Sequence, residues 1–401
     1  MLKKIDVDQV RIGMYIQKLC STWDDSPFWR TSLMLEKQQH LHDLQASTVK
    51  EVWIDTDKGL DVIASQKIAA STPEVTQKAT SNVPTAPRRT AFSDEMTEAK
   101  NICAKGKKAV TTMFQEARMG KALNTEQAAA LVDEISASVM RNPDALIGLA
   151  RLKNKDDYTY MHSVAVCALM IALAKKLRLD APQIRDAGMA GLLHDIGKMA
   201  IPQEILDKPG KLTDAEFMIV KAHPTQGHEI LLAGANVTEG ALEVCLHHHE
   251  RMDGTGYPHQ LKGEQISLLA RMGAVCDVYD AITSNRAYKA GWEPAESLRK
   301  MAEWSGPHFD PVIFQAFVKC LGIYPTGSLV KLKSGRVGVV TEQCEQSLLT
   351  PKVKVFFSLK SNTYITPEMI DLARADAHDS IHELGDAEKL GLKNVHTMWS
   401  A

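Results

Sequence analysis

Histidines and aspartates at short spacing are the side chains of this sequence most suited to chemistry. Of fourteen histidines, His162, His194, His223, His228, His247, His248 and His249 fall in the middle of the chain, several beside carboxylates. Imidazole nitrogens with carboxylate oxygens suit first-row metals such as Fe, Mn, Ni or Zn. The seven cysteines are scattered with no C-x-x-C pair, which speaks against both a structural zinc site and a disulfide framework. His194 and Asp195 are adjacent, and neighbouring helical residues point about 100° apart. Such a pair would serve two ions only if the carboxylate bridged them. Lys198 lies about one turn beyond Asp195 on the same face, where an ammonium could hold a phosphate oxygen.

A second cluster follows at His247-His248-His249-Glu250, at the end of an apolar stretch, and runs into Asp253, Gly254, Gly256, Tyr257 and Pro258. The glycines and the proline predict a tight turn with exposed backbone. Asp277 and Asp280, three apart, share one face of a helical pattern whose other positions are apolar or small. An unpaired carboxylate is costly in such a buried helix, so a metal or a cation is the natural compensation. Arg286 and Lys289 stand just beyond it. The His194-Asp195 pair or the Asp277 and Asp280 pair alone is more often a satisfied buried hydrogen bond or a solvated face, whereas a histidine run inside a chain is rare. Together they point to a metal centre.

The elements that must position these groups read as consecutive helices from 156 to about 322. Thr213 and Glu216 form a capping box opening a helix that must stop near His223, before Pro224. Another helix spans 267–284. Residues 93–150 have helical spacing too, with Ala128, Leu131, Val132, Ile135 and Val139 on one face. The first 65 residues or so mix short apolar runs with turns, including a strand over 49–55. Residues 69–90 have the Ser, Thr, Pro and Ala composition of a linker. After Pro325 a hairpin is expected around Ser334-Gly335, with a further strand over 353–357. The expected fold is mainly α, with a small mixed α/β N-terminal domain (1–68), a linker (69–92), a helical connector (93–149), a helical bundle (150–322) and a short β-containing C-terminal extension (323–401).

His194-Asp195-Ile196-Gly197-Lys198, followed by His248-His249-Glu250 and by Asp253-Gly254-Thr255-Gly256-Tyr257-Pro258, resembles the HD-GYP branch of the HD phosphohydrolases. The resemblance covers roughly 150–322 and includes Pro202, the 208–213 segment and Phe309-Asp310-Pro311. It implies an HD-type helical bundle that hydrolyses cyclic di-GMP to linear pGpG, and in some members onward to GMP. It also implies metal ligands at His162, His194, Asp195, His223, His248, His249 and Asp277. Lys198 matches the lysine on the scissile phosphate. Asp280, Arg286 and Lys289 match positions touching the nucleotide, and Gly256, Tyr257 and Pro258 match the substrate-side loop. His228, His247 and Glu250 match no ligand and are expected to be supporting or solvated. Some members place a glutamate four residues before the first histidine for a third metal. Tyr158 stands there in this chain, with Asp156 and Asp157 out of register, so two divalent ions are expected. Fe or Mn is favoured, and Ni or Zn is compatible with the same ligands. Residues 7–15 resemble, more weakly, a domain of unknown function often fused ahead of HD-GYP domains.

On this reading two ions bridged by Asp195 activate a water against a phosphodiester, and Asp195 and Lys198 are the residues closest to the chemistry. Two rivals are a hydrolase of another cyclic dinucleotide, such as cyclic GMP-AMP, and a non-catalytic receptor for cyclic di-GMP. The net charge of −2 argues against polymeric nucleic acid as a partner. The most apolar stretch, 164–174, is too short to cross a bilayer, which takes about 20 residues. No signal-peptide pattern opens the sequence, so a cytoplasmic location and no membrane partner are expected. A protein partner for the N-terminal domain and an oligomeric assembly are compatible with this reading.

Overall fold

The computed structural model describes residues 2–19, 33–35, 41, 51–60, 90–121, 123, 125–152, 158–208, 210–284, 291–393 and 395–400. They fall in two compact units, residues 1–84 and 85–401. Most of the expected linker lies outside the described residues, as do Arg286, Lys289, Asp156 and Asp157 and the side chain of Tyr158.

The first unit holds an antiparallel sheet of β1 (Leu2–Asp6), β2 (Tyr15–Leu19), β3 (Leu33–Met34) and β4 (Glu51–Asp55) in the order β1-β4-β2-β3. Alternate residues point to one side, so Ile5, Ile16, Val52 and Ile54 share a small apolar core with Met14 and Leu35.

The second unit is built on helices: α1 (Phe92–Arg118), α2 (Thr125–Arg141), α3 (Pro143–Arg151), α4 (Tyr158–Lys176), α5 (Ala181–Leu193), α6 (Asp214–Lys221), α7 (His223–Leu232), α8 (Glu239–His247), α9 (Leu268–Thr283), α10 (Pro294–Trp304) and α11 (Pro311–Leu321). The apolar stretch of 164–174 is the middle of α4. It is buried all round, as a helix apolar on every face must be, and the other helices pack about it. None of the described helices is long and apolar enough to cross a membrane.

The helices expected as a connector belong to the same core. Met96, Ile102, Val110 and Phe114 of α1 and Leu131, Val132, Ile135 and Val139 of α2 are buried with α4 and α5. Glu95, 1% exposed, locks the pair further. It takes a bidentate contact from Arg141 at 2.8 Å and a hydrogen bond from Ser138 at 2.7 Å.

The C-terminal residues form a five-stranded antiparallel sheet, larger than the expected hairpin plus one strand. It comprises β5 (Leu329–Leu332), β6 (Arg336–Glu342), β7 (Lys352–Ser358), β8 (Thr363–Asp371) and β9 (Ile381–Leu384), in the order β8-β7-β6-β5-β9. The hairpin around Gly335 is present, with Gly335 at a φ of 84°. The sheet is two-sided. Leu329, Val337, Val339 and Phe357 join the helical core, while Val330, Val340, Val353 and Val355 line a second apolar layer. A break at 322 therefore does not separate this segment from the bundle.

Candidate metal centre

Three helix ends supply the middle of the site by one device. The last turn of a helix leaves carbonyls without intrahelical partners. After α5, His194 donates from Nδ1 to the Gly191 carbonyl at 2.8 Å. After α6, His223 donates from Nδ1 to the Val220 carbonyl at 2.7 Å. After α8, His248 donates from Nδ1 to the carbonyls of Val244 at 2.9 Å and Cys245 at 3.1 Å. Each imidazole thereby satisfies an orphan carbonyl, fixes its own tautomer and turns a bare Nε2 inward. Three helix C-termini, each carrying partial negative charge, also face one point, which favours a cation there.

α5 stops at Leu193, so His194 and Asp195 lie at a break rather than on a continuous helix. Asp195 has φ −102° and ψ 11° and opens a short 3-10 turn over Ile196–Ala200. Its carboxylate stands between two groups of imidazoles. Oδ2 is 3.3 Å from His194 Nε2 and 3.4 Å from His162 Nε2. Oδ1 is 3.3 Å from His223 Nε2 and 3.8 Å from His248 Nε2. The break in the chain, not the angle between helical neighbours, puts Asp195 between the two groups.

The candidate ligand atoms fall into a carboxylate-bearing half, His162, His194 and Asp277, and an imidazole half, His223, His248 and His249. Within each, the atoms lie within 4.8 Å of one another. His162 comes from α4 and Asp277 from α9, with His162 Nε2 3.0 Å from Asp277 Oδ1. His249 stacks on the Tyr257 ring at 4.7 Å between centroids and 25° between planes.

The residues fit bound cations on two observations. Asp195 Oδ1 is fully buried without a hydrogen-bond donor, a state worth about 1–3 kcal/mol of lost stability if nothing compensates. His223 Nε2 and His248 Nε2 face each other at 3.3 Å although both rings already donate from Nδ1, so their lone pairs meet unless a cation intervenes.

Burial opposes charge throughout, yet the centre keeps its carboxylates ionised. Asp195 sits well below the usual carboxylate range: burial would raise it, but Lys198 and the neighbouring imidazoles more than offset this. Asp277 is lowered likewise, against its burial, by His162 first. Burial pulls the His162 imidazole down, but Asp195, Asp277 and Asp280 outweigh it and hold it up at about 10. The other half behaves oppositely. Burial pushes His249 down to about 3 and His248 well below its ordinary value. Those rings stay neutral and ligand-ready.

Two residues expected on the substrate have partners within the centre. Asp280 is 2% exposed and accepts from His162 Nδ1 at 2.6 Å, turning His162 Nε2 toward Asp195 and Asp277. It faces inward because the α9 stripe it shares with Asp277 is the buried one. Lys198 places Nζ 2.5 Å from Asp195 Oδ2, so its charge holds that carboxylate ionised.

The Gly-Tyr-Pro turn is held from beneath by Glu250, which is 1% exposed and not solvated. Its carboxylate accepts the backbone N–H of His259 at 2.7 Å and of Leu261 at 3.1 Å. A Cβ on Gly256 would lie 2.4 Å from the Glu250 Cα, so only glycine fits; Gly254 has a φ of 81°. Tyr257 and Pro258 are half-buried at the edge of the centre. His247 pairs with His259 at 3.0 Å and Glu243 at 3.3 Å, and neither it nor His228 joins the clustered ligands. Asp310 of the Phe-Asp-Pro segment caps α11 through Val312 N and binds Arg271 at 2.7 Å.

Gly197 has a comparable constraint. A Cβ there would meet the His223 carbonyl oxygen at 1.9 Å and Gly227 N at 2.5 Å, so the turn after Asp195 rests directly on the start of α7.

Comparison with known proteins matches residues 136–313 to a family described as HD domain, and residues 2–128 to a domain of unknown function (DUF3391). A cyclic di-GMP phosphodiesterase of Pseudomonas aeruginosa is 56% identical over 402 residues, covering 100% of this chain and 96% of that protein. The cyclic di-GMP phosphodiesterase response regulator of Xanthomonas campestris pv. campestris is 39% identical over 202 residues, covering 50% of this chain and 53% of its own. A 3'3'-cGAMP-specific phosphodiesterase of Vibrio cholerae is 37% identical over 172 residues, covering 43% of this chain and 37% of its own.

Proposed function

Since the chain belongs to the HD-GYP family of HD-domain proteins, we propose that it is a metal-dependent phosphodiesterase that hydrolyses cyclic di-GMP to linear pGpG. The observation that carries this is the Asp195 carboxylate, buried and spanning two imidazole-bearing sets with Oδ1 lacking a donor. His162, His194, Asp277 and Asp195 would hold one divalent ion, and His223, His248, His249 and Asp195 a second. Fe or Mn suits this nitrogen and oxygen set, as do Ni and Zn. When bound, such ions supply Lewis acidity for a water nucleophile and for the phosphate oxygens.

The chain's own residues do the rest. Lys198 keeps Asp195 ionised, so the carboxylate can span the two positions. Asp280 locks the His162 ring through Nδ1. Asp277 is more open than Asp195, 7% against 1% exposed, and lies 3.9 Å from His249 Nδ1. It is ionised, so a carboxylate oxygen is available to accept a proton there. Tyr257, stacked on His249, shields that side from bulk solvent. No side-chain nucleophile is needed: Cys167, Cys245 and Cys276 are buried, and burial pushes their thiols up, away from the thiolate.

The test is product analysis of metal-reconstituted protein given cyclic di-GMP or, separately, 3'3'-cGAMP, beside Asp195→Ala. Turnover of cyclic di-GMP to pGpG that vanishes in the variant is the expected result, and the same chromatogram reads any onward GMP. Preference for 3'3'-cGAMP would move the assignment to that substrate. Tight binding without turnover under Fe(II), Mn(II), Ni(II) and Zn(II) would replace the enzyme by a receptor.

A further inference from the structure

We propose that Lys221 is a substrate-binding residue that takes the second, non-scissile phosphate of the cyclic dinucleotide. Lys221 is the last residue of α6, half-buried, two residues before His223. Its ammonium lies 5.0 Å from the centre of the Tyr257 ring and 5.2 Å from that of Phe217. Tyr257 in turn stacks on His249. One aromatic ring therefore separates this cation from a candidate metal ligand, on the side where the Gly-Tyr-Pro turn borders the centre.

What distinguishes Lys221 is how it is held. Among the described residues no carboxylate lies within 4.0 Å of its Nζ, whereas Lys198 is committed to Asp195 at 2.5 Å and Arg251 stands 3.9 Å from Asp253. Aromatic faces attract an ammonium through their quadrupole but carry no net charge. Lys221 is thus placed by contacts that leave its charge available to an anion. Phe217 is 45% exposed, so the ammonium is not sealed beneath its partners. A cyclic dinucleotide carries two phosphodiesters. With one at the ions, the charge of the other needs a cation at the rim, and Lys221 offers a compact, strongly hydrated one suited to phosphate.

This inference rests on the proposed function, and its test separates the two. Steady-state kinetics of the metal-loaded full chain are measured for wild type, Lys221→Met and Lys221→Arg. The substrates are cyclic di-GMP and bis(4-nitrophenyl) phosphate, which has a single phosphodiester and no second anion. For Lys221→Met, KM for cyclic di-GMP is expected to rise roughly tenfold to hundredfold with kcat within about twofold. Lys221→Arg should recover most of the loss. Hydrolysis of bis(4-nitrophenyl) phosphate should be unchanged. Equal losses on both substrates would mean that Lys221 only steadies α6 and His223, which overturns the inference, as would no change on either. If wild type binds cyclic di-GMP without turning it over, the enzyme reading fails alone, and the Kd of the three proteins decides the role of Lys221 by the same pattern. If wild type does not bind cyclic di-GMP, both fall.

Discussion

The two halves of the metal centre are built from similar side chains and reach opposite electrostatic states. In one half, His162 lies between Asp277 and Asp280, and the imidazole is held up at about 10. In the other, the Nδ1 atoms of His223 and His248 donate to backbone carbonyls, and burial keeps His248 and His249 neutral. A carbonyl partner orients a ring without adding charge, while a carboxylate partner orients it and makes it more basic. His248 and His249 are therefore ready for a cation at any ordinary pH. The carboxylate half must first give up a proton. Asp195, spanning both, is where the halves become one site.

The largest effect should come from removing that span. Asp195→Ala is expected to lower turnover of cyclic di-GMP by at least about 10³-fold and to deplete metal in both halves, read by elemental analysis. Depletion in one half only would show that Asp195 does not join them. Next, Asp277→Asn should cost roughly 10²-fold in turnover and about one ion per chain, the imidazole half keeping its own. Loss of both ions would mean the halves fill as a unit.

Asp280→Asn should weaken metal affinity about 10–100-fold in the carboxylate half and leave the imidazole half unaffected. The pH dependence sharpens the contrast. Below about 10 the metal-free His162 carries a proton that a metal must displace. Apparent affinity in that half should then rise with pH by up to about tenfold per unit toward 10. In the imidazole half His249, pushed down to about 3, and His248, lowered likewise, should add no such slope above pH 5, roughly two units higher than His249. Calorimetry in buffers of different ionisation enthalpy would count the protons released. The smallest effect is expected from Tyr257→Phe, which keeps the stacking ring and should change kcat less than about twofold.

Sequence periodicity exposes the buried faces of α2 and α9, the capping box at Thr213 and the hairpin at Gly335, because each rests on contacts within a few residues. The strands β8 and β9 are not legible in the same way. β8 contains Pro367 and lies at a sheet edge with most side chains exposed, so it lacks the alternation that marks a strand. In the site, the histidines and Asp195 stand out by type and spacing. Their partners do not. The carbonyls of Gly191, Val220 and Val244 leave no trace in residue identity. Asp280 and Glu250 resemble substrate-facing or solvated acids until the fold buries them. Lys221 looks like an ordinary lysine at a helix end; only the approach of Tyr257 from a distant loop gives it a role.

The bare contact between Gly197 and the start of α7 has a consequence for how such a site can diversify. With no side chain between the turn that carries Asp195 and the helix that begins at His223, the separation of the two ligand sets is fixed by backbone against backbone. Ordinary mutation works by swapping side chains, and here there is none to swap without forcing the two segments apart. The core of the centre thus behaves as a fixed gauge. New substrate preferences on this scaffold would have to arise at its rim, in the loop and helix ends that frame the opening, where a residue can change without altering the spacing beneath it.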